Sequence, residues 1–540
     1  MGIPSYFSYI VKNHANIIRK IEDGKFKANN LYLDANSIIY DCIHKIDFTK
    51  LTESDTDTIC AAVFNKIDEY IALINPDNNI FIAFDGVAPV AKLEQQRQRR
   101  YKSQYQNKIN KEIYKGTKAD PWNTTAITPG TIFMAHLNSN IRKRYNDPAK
   151  YNVKHLILSP SDRYGEGEHK LFEYIRAFPD QHRDMTTVIY GLDADLIMLS
   201  INHLPVSDKI FLFRETPHFI QTINRDLEPD SNYLIDIPEL ANIITLNMNN
   251  GEALTTVQQK NRIYDYIFMC FFLGNDFMPH FPSINIRTGG VDKMLNAYKA
   301  TIGGTDDNLT DGKTIYWKNV RKLVTFLAAV EEDNLKAETK SRDRREHMQQ
   351  PTTTEADKLA RFDSIPNHER AAEKYINPFT PNWRARYYKQ LFDFENADDT
   401  RKKQVCMNYL EGLEWNMKYY TSGCPDWRWC YKYDYPPLLC DLIHYVPYFE
   451  TTLVEKQTPA PVLELTQLCY VLPKDCMNLV PSNVYNAIME KHSDWYKSDC
   501  EFVWAYCRHF WESHVQLPEI DIVELECIIQ EVKNKIVLSV

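Results

Sequence analysis

Residues 187–203 read TVIYGLDADLIMLSINH: a short run rich in β-branched residues leads straight into a carboxylate, Asp193, with Asp195 two positions on. The same pattern recurs upstream. LYL (31–33) ends in Asp34 and IFIAF (80–84) ends in Asp85. HLILS (155–159) and KIFLF (209–213) read as two further strands, and helical periodicity fits roughly 56–74, 90–115, 130–145, 166–178 and 291–300 between and after them. Strands alternating with helices predict an α/β fold, a mostly parallel sheet covered by helices. In such open sheets ligands gather beyond the carboxyl ends of the strands, where these aspartates stand.

The chain has 540 residues, enough for two or three packed units rather than one small module. Hydrophobic residues make up 44% and charged residues 25%, as in ordinary globular proteins. A net charge of −9 argues against an indiscriminate nucleic-acid coat or a polybasic membrane anchor. The 12 cysteines are scattered without a Cys-x-x-Cys and read as reduced, mostly buried thiols. No secretion signal or membrane-length apolar run is visible, and Gly2 is followed by Tyr6 where a myristoylation motif has Ser or Thr. The expectation is a soluble protein of a reducing compartment.

Two more acidic positions join the strand ends. In YGEGEHKLFEYIR, Glu166 and Glu168 bracket the entry to a helix, so the first must precede helical geometry if both are to reach one cation. Asp276 follows in CFFLGNDFMPHFP, between a glycine that ends an apolar helix and a proline that stops its continuation. One aspartate at such a place is ordinarily a cap. Seven carboxylates, Asp34, Asp85, Glu166, Glu168, Asp193, Asp195 and Asp276, would repel one another unless cations neutralise them, and two hard divalent ions are the natural solution. Residues 91–118 carry nine basic side chains against Glu94 and Glu112, a basic helix able to hold phosphates beside the acidic site. The polar stretch from about 330 to 375 reads as a solvated linker or surface excursion, and the aromatic-rich remainder as helices packed back on the first half.

The segments MGIPSYF (1–7), LYLDANSIIYDCIH (31–44), FIAFDGVAPVAKLEQQRQRRYKS (81–103), GEGEHKLFEYIR (165–176), YGLDADLIMLSINH (190–203), LFRE (212–215) and FMCFFLGNDFMPHFPS (268–283) together resemble the Xrn family of 5′→3′ exoribonucleases, relatives of flap endonucleases and PIN-like nucleases. Less strictly, RYYKQLF, residues 409–437 and residues 502–526 are similar to the family's second conserved region. The resemblance implies a PIN/FEN-like, Rossmann-like sheet in a nuclease domain over 1–300, a helical, charged linker or surface excursion over 301–380 and a helical, aromatic-rich region over 381–540. It places Asp34, Asp85, Glu166 and Glu168 on one Mg²⁺ or Mn²⁺ ion and Asp193, Asp195 and Asp276 on a second. Lys92, Gln96, Arg99 and Arg100 match the pocket for a 5′-monophosphate, and Asn36 the remaining polar position near the site. Base stacking falls to Tyr40, where the family commonly has His, and to one of Trp415, Trp427 and Trp429. His44 and His169 read as packing or supporting residues.

What the resemblance implies is a processive enzyme that degrades single-stranded, 5′-monophosphorylated RNA, acting as a monomer downstream of a decapping enzyme and without membrane contact. The expected location is the cytoplasm; an AT-rich composition and minimal length suggest a large DNA virus or a protist, and then a host cytoplasm or viral factory. Two rival readings are a structure-specific 5′ flap DNA endonuclease and a catalytically dead RNA-binding scaffold. Against the second, none of the seven carboxylates is missing.

Overall fold

The computed structural model describes residues 3, 5–22, 26–48, 54–115, 122–455 and 460–538; Gly2 and Lys118 lie outside them. Seven strands, β1 (Ile18–Lys20), β2 (Asn30–Asp34), β3 (Asn79–Ala83), β4 (His155–Ser159), β5 (Thr187–Tyr190), β6 (Ile210–Glu215) and β7 (Asn232–Asp236), form one sheet in the order β1-β7-β6-β5-β2-β3-β4. β2 to β6 are mutually parallel, with Asp34 level with Ala83 and Leu33 level with Tyr190. β7 and β1 extend one edge antiparallel.

Each central strand buries both faces, which is why LYL and TVIY are continuous rather than alternating. Tyr32, Phe81 and Ile189 join one core, whereas Leu31, Leu33, Ile80, Ile82 and Val188 join the other. The first core continues without a break into the second half of the chain, taking in Tyr409, Leu413, Trp415 and Tyr420 of the helix Asp399–Ser422. A third core joins Val87 and Leu93, around the start of the helix Val90–Ile113, to Leu468, Ile488 and Leu525 of the C-terminal region. Chain order reverses between β2 and β5, so a crevice opens there beyond the strand ends.

The stretch expected to be a solvated linker is different. Residues Glu331–Glu346 form a helix whose Glu331, Glu338 and Arg342 are buried. Arg342 and Arg370 both bind the Glu373 carboxylate, at 2.8 and 2.7 Å, and Tyr506 N–H donates to the same group at 2.8 Å. The polar residues face a charged core, because each buried charge there has a partner.

Candidate active site

Because β2, β3 and β5 are parallel, Asp34, Asp85 and Asp193 emerge together beyond the C-terminal ends of these strands. Asn36, at the start of the helix Asn36–Lys45, holds Asp85 from both ends: its Nδ2 donates to Oδ2 at 2.7 Å and its Oδ1 accepts from Asp85 N–H at 3.1 Å. Gly167 N–H, at the N-terminus of the helix Gly167–Ala177, donates to Asp85 Oδ1 at 2.6 Å, where the helix dipole favours negative charge. Glu166 is extended (φ −71°, ψ 145°) and Glu168 is helical, as their spacing requires. Tyr419 OH donates to Glu166 Oε1 at 2.8 Å.

Asp276 sits on a braced turn. Gly274 has φ +80°, and a Cβ there would lie 2.6 Å from His280 N, so only glycine fits. Asn275 Oδ1 accepts from the N–H groups of Phe277 and Met278, each at 3.0 Å. Lys92 Nζ then bridges the two sides, 2.6 Å from Glu166 Oε2 and 2.7 Å from Asp276 Oδ2.

Burial raises the pKa of Asp34 well above the carboxylate range, with the charges of Asp85 and Asp193 adding to it. Burial does the same to Glu168, beside Asp193 and Asp195, and pushes Asp195 up to about 8. Glu166 is also raised by burial, partly offset by Lys92. Asp276 goes the other way: burial opposes its charge, and the Lys92 ammonium more than compensates. Asp34 Oδ1, Glu168 Oε2 and Asp195 Oδ1 are buried oxygens without a hydrogen-bond donor. Such orphaned acceptors fit cation ligands. Among the described residues, however, no three acidic, histidine or cysteine side chains are drawn into a metal cage.

A cleft of about 620 Å³ brings the predicted groups together. Asp34, Asp85, Glu166, Glu168 and Asp193 line it, with Lys92, Gln96, Arg99 and Arg100 on the facing wall and Asn36 and Tyr40 nearby. Asp195 and Asp276 do not line it. Asp195 is buried at the start of the helix Asp195–His203, and Asp276 lies behind Lys92. The expected second ligand set is therefore split between the cleft and the protein behind it.

Residues 1–216 match the model of the XRN 5′-3′ exonuclease N-terminus, and residues 256–376 and 367–538 match that of the Xrn1 helical domain. The chain belongs to the Xrn family. It is similar to a 5′-3′ exoribonuclease 2 homolog of Drosophila melanogaster, 27% identical over 96% of this chain and 70% of that protein. The 5′-3′ exoribonuclease 2 of Gallus gallus is 26% identical over 98% of this chain and 70% of its own length. The 5′-3′ exoribonuclease 1 of Saccharomyces cerevisiae is 25% identical over 96% of this chain, which spans 42% of that protein.

Within this Xrn chain the predicted phosphate group forms one helical face at 92, 96, 99 and 100. Arg100 Nη2 donates to Thr128 Oγ1 at 2.6 Å, its Nη1 and Gln96 Oε1 are buried without partners, and burial lowers the Arg100 pKa to about 10. Not all of the basic helix faces the cleft. Arg97 donates to Trp495 O, and Lys102 to Trp511 O and Ser513 O, tying the helix to the C-terminal region.

The stacking candidates separate by burial. Trp415 is fully buried, donates to Asp426 O at 2.8 Å and stacks on Trp429 at 5.1 Å, so it is core and has no face for a base. Trp427 is half-buried and meets the exposed Tyr164 edge-on at 5.6 Å. None of the three tryptophans lines the cleft; Tyr40 does. His169 is buried and stacks on Tyr419 at 3.7 Å, a packing role, whereas His44 is exposed.

Sequence reasoning missed Arg214 and Tyr419. Arg214 lines the cleft beside Asp193, lies 3.5 Å over the Phe7 ring, and keeps Nε and Nη1 unpartnered in a buried position. The LFRE segment was the available signal, since Arg214 is one of its four residues.

Proposed function

We propose that this protein is a 5′→3′ exoribonuclease that removes nucleoside 5′-monophosphates one at a time from single-stranded RNA bearing a 5′-monophosphate. The observation that carries this reading is one cleft that five of the seven predicted carboxylates share with a wall of Lys92, Gln96, Arg99 and Arg100. A terminal phosphate held by that wall sets the first phosphodiester over the carboxylates. Three cations and an amide neutralise and hydrogen-bond a monophosphate. Lys92, Gln96 and Arg100 are buried, so their polar atoms are fixed in place to select a terminal monophosphate over a cap or a triphosphate.

Asn36 and Gly167 N–H fix the Asp85 carboxylate, and Tyr419 fixes Glu166, so the floor keeps its geometry as charge is rearranged. Two divalent cations held by these carboxylates, Mg²⁺ or Mn²⁺, would stabilise developing charge and lower the pKa of the attacking water. Hydrolysis breaks the P–O3′ bond of the first linkage and leaves its phosphate on the second nucleotide, which then carries the 5′-monophosphate the wall accepts. Tyr40 on the cleft wall, and Trp427 with Tyr164, offer ring faces to unpaired bases, worth about 1–3 kcal/mol per base without reading sequence. A reaction that leaves a 5′-monophosphate, decapping or endonucleolytic cleavage, must supply the substrate. No helix among the described residues is long and apolar enough to cross a membrane.

The test is a time course on RNAs with 5′-monophosphate, 5′-hydroxyl and capped ends, labelled at either end, with and without EDTA. Loss of only the monophosphorylated RNA, as mononucleotides and only without EDTA, is expected. Equal rates on all three refute the phosphate wall. Cleavage of a 5′ DNA flap with the RNA intact would replace this reading by the flap endonuclease.

A further inference from the structure

The helix Val90–Ile113 has a second cavity on its other side, of about 1140 Å³, ample for a mononucleotide when ligand pockets run to about 300–1,000 Å³. The first cleft takes the helix face at 92, 96 and 100, and the second the face at 91, 94, 95, 98 and 102. Arg99 lines both. The partition is thin: Lys92 belongs to the first cleft, its ion-pair partner Asp276 to the second, and Gln95 sits beside that pair.

The second cavity holds unsatisfied polar atoms in a mixed polar and apolar lining. Gln95 Oε1, His280 Nε2, Tyr435 OH and Ser513 Oγ are buried there without hydrogen-bond partners, and the rings of Tyr431 and Trp511 supply flat apolar surface. Buried polar atoms of this kind call for a polar occupant. Two of its cations are neutralised in place, Arg287 by Glu512 at 2.6 Å and Arg428 by Glu526 at 2.8 Å, and Glu94, Asp434, Glu519 and Asp521 add negative charge to the lining. A dianion would be admitted but held weakly. Exposed Lys432 stands at the rim, on the solvent side.

Resting on the exoribonuclease reading, we infer that this second cavity is the exit route of the nucleoside 5′-monophosphate product, handed across the partition by Arg99. Processive digestion demands such a path. After each hydrolysis the product still occupies the phosphate wall while the strand behind it fills the cleft, so release backwards would require the RNA to withdraw. A route on the far side of the wall lets the next 5′-phosphate advance as the product leaves.

The test uses the full chain with two variants remote from the carboxylates: Leu517→Trp, which narrows the cavity, and Lys432→Glu, which puts a negative charge at its rim. In rapid-quench experiments on 5′-monophosphorylated RNA, both should release the first nucleotide within about twofold of the parent rate. Sustained turnover should fall about fivefold, as when product release limits kcat. Photolabelling with 8-azidoadenosine 5′-monophosphate should mark residues 428–435 and 505–518 in the parent and lose those adducts in Leu517→Trp. Adducts confined to the first cleft, or variants that slow first and later turnovers alike or not at all, overturn the exit route. A parent that labels in the second cavity without degrading RNA overturns the exoribonuclease reading instead.

Discussion

Gly167 links two carboxylates so tightly that one methyl group should separate folding from catalysis. A Cβ at this position would lie 2.6 Å from Asp34 Oδ1 and 3.3 Å from Asp85 Oδ1. Ordinary contact begins near 3.4 Å, so in Gly167→Ala the Asp34 carboxylate must retreat by about 0.8 Å, and Asp85 by a smaller amount. The backbone has no objection. Gly167 begins a helix and is absent from the positive-φ residues, so alanine should leave the fold unharmed or add about 0.5–1 kcal/mol through helix propensity. A displacement near 1 Å of a group that positions the reacting atoms costs about 100-fold in rate. The expected outcome is an unchanged or slightly raised thermal midpoint together with a fall of about two decades in kcat on 5′-monophosphorylated RNA. In an Asp34→Ala background the same change should add little, because the clash has been removed. An alanine variant within threefold of parent activity would refute the reasoning, since it would mean that Asp34 and Asp85 need not hold this geometry.

Three further outcomes are accessible. Arg214→Leu should raise KM for RNA about tenfold with little change in kcat, and lower the slope of log KM against log salt by about one, as for the loss of one phosphate contact. Glu373→Gln should cost about 3–5 kcal/mol in urea unfolding by leaving Arg342 buried without its counter-charge, Arg370 keeping Asp343 and Glu346, while activity per folded molecule is kept at low temperature. His203, whose pKa burial and then Arg176 lower to about 3, contributes stability that is complete above the unfolded value near 6.5 and lost as pH falls toward 3. The parent should lose up to about 4 kcal/mol over that window, and His203→Gln should show a flatter urea midpoint against pH.

The parallel strands were legible because each is an unbroken apolar run stopped by a carboxylate or a turn, a pattern that a sheet buried on both faces imposes. β1 and β7 were not. β1, Ile18–Lys20, is a three-residue edge strand and mostly exposed, so neither periodicity nor burial marks it, and β7 lies between β1 and β6, antiparallel to both, outside the parallel repeat. The helix Glu331–Glu346 reads as solvated because its inward face holds a single leucine, Leu335, among the buried charges of Glu331, Glu338 and Arg342. Helical spacing put Lys92, Gln96, Arg99 and Arg100 on one face, but spacing carries no information on reach, and Lys92 extends past the wall to Glu166 and Asp276. The tryptophans show the same limit: residue type makes Trp415 and Trp427 equivalent, and only packing makes the first a core residue.

Lys92 is the point where the acidic and basic halves of the site become one device. An ammonium has three N–H donors, and two of them are directed at Glu166 and Asp276, which leaves one for a phosphate oxygen on the cleft side. Burial disfavours its charge, yet the surrounding carboxylates raise its pKa well above that of a free lysine, so the cation persists at any physiological pH. On the proposed reading, a phosphate held there would be coupled through one atom to carboxylates on both sides of the partition. The net charge of −9 then poses no obstacle to an anionic substrate. The excess negative charge at the site is concentrated on the floor, where divalent cations would offset it, and on the proposed reading the strand end would meet a wall whose positive charge is fixed in place by that same floor.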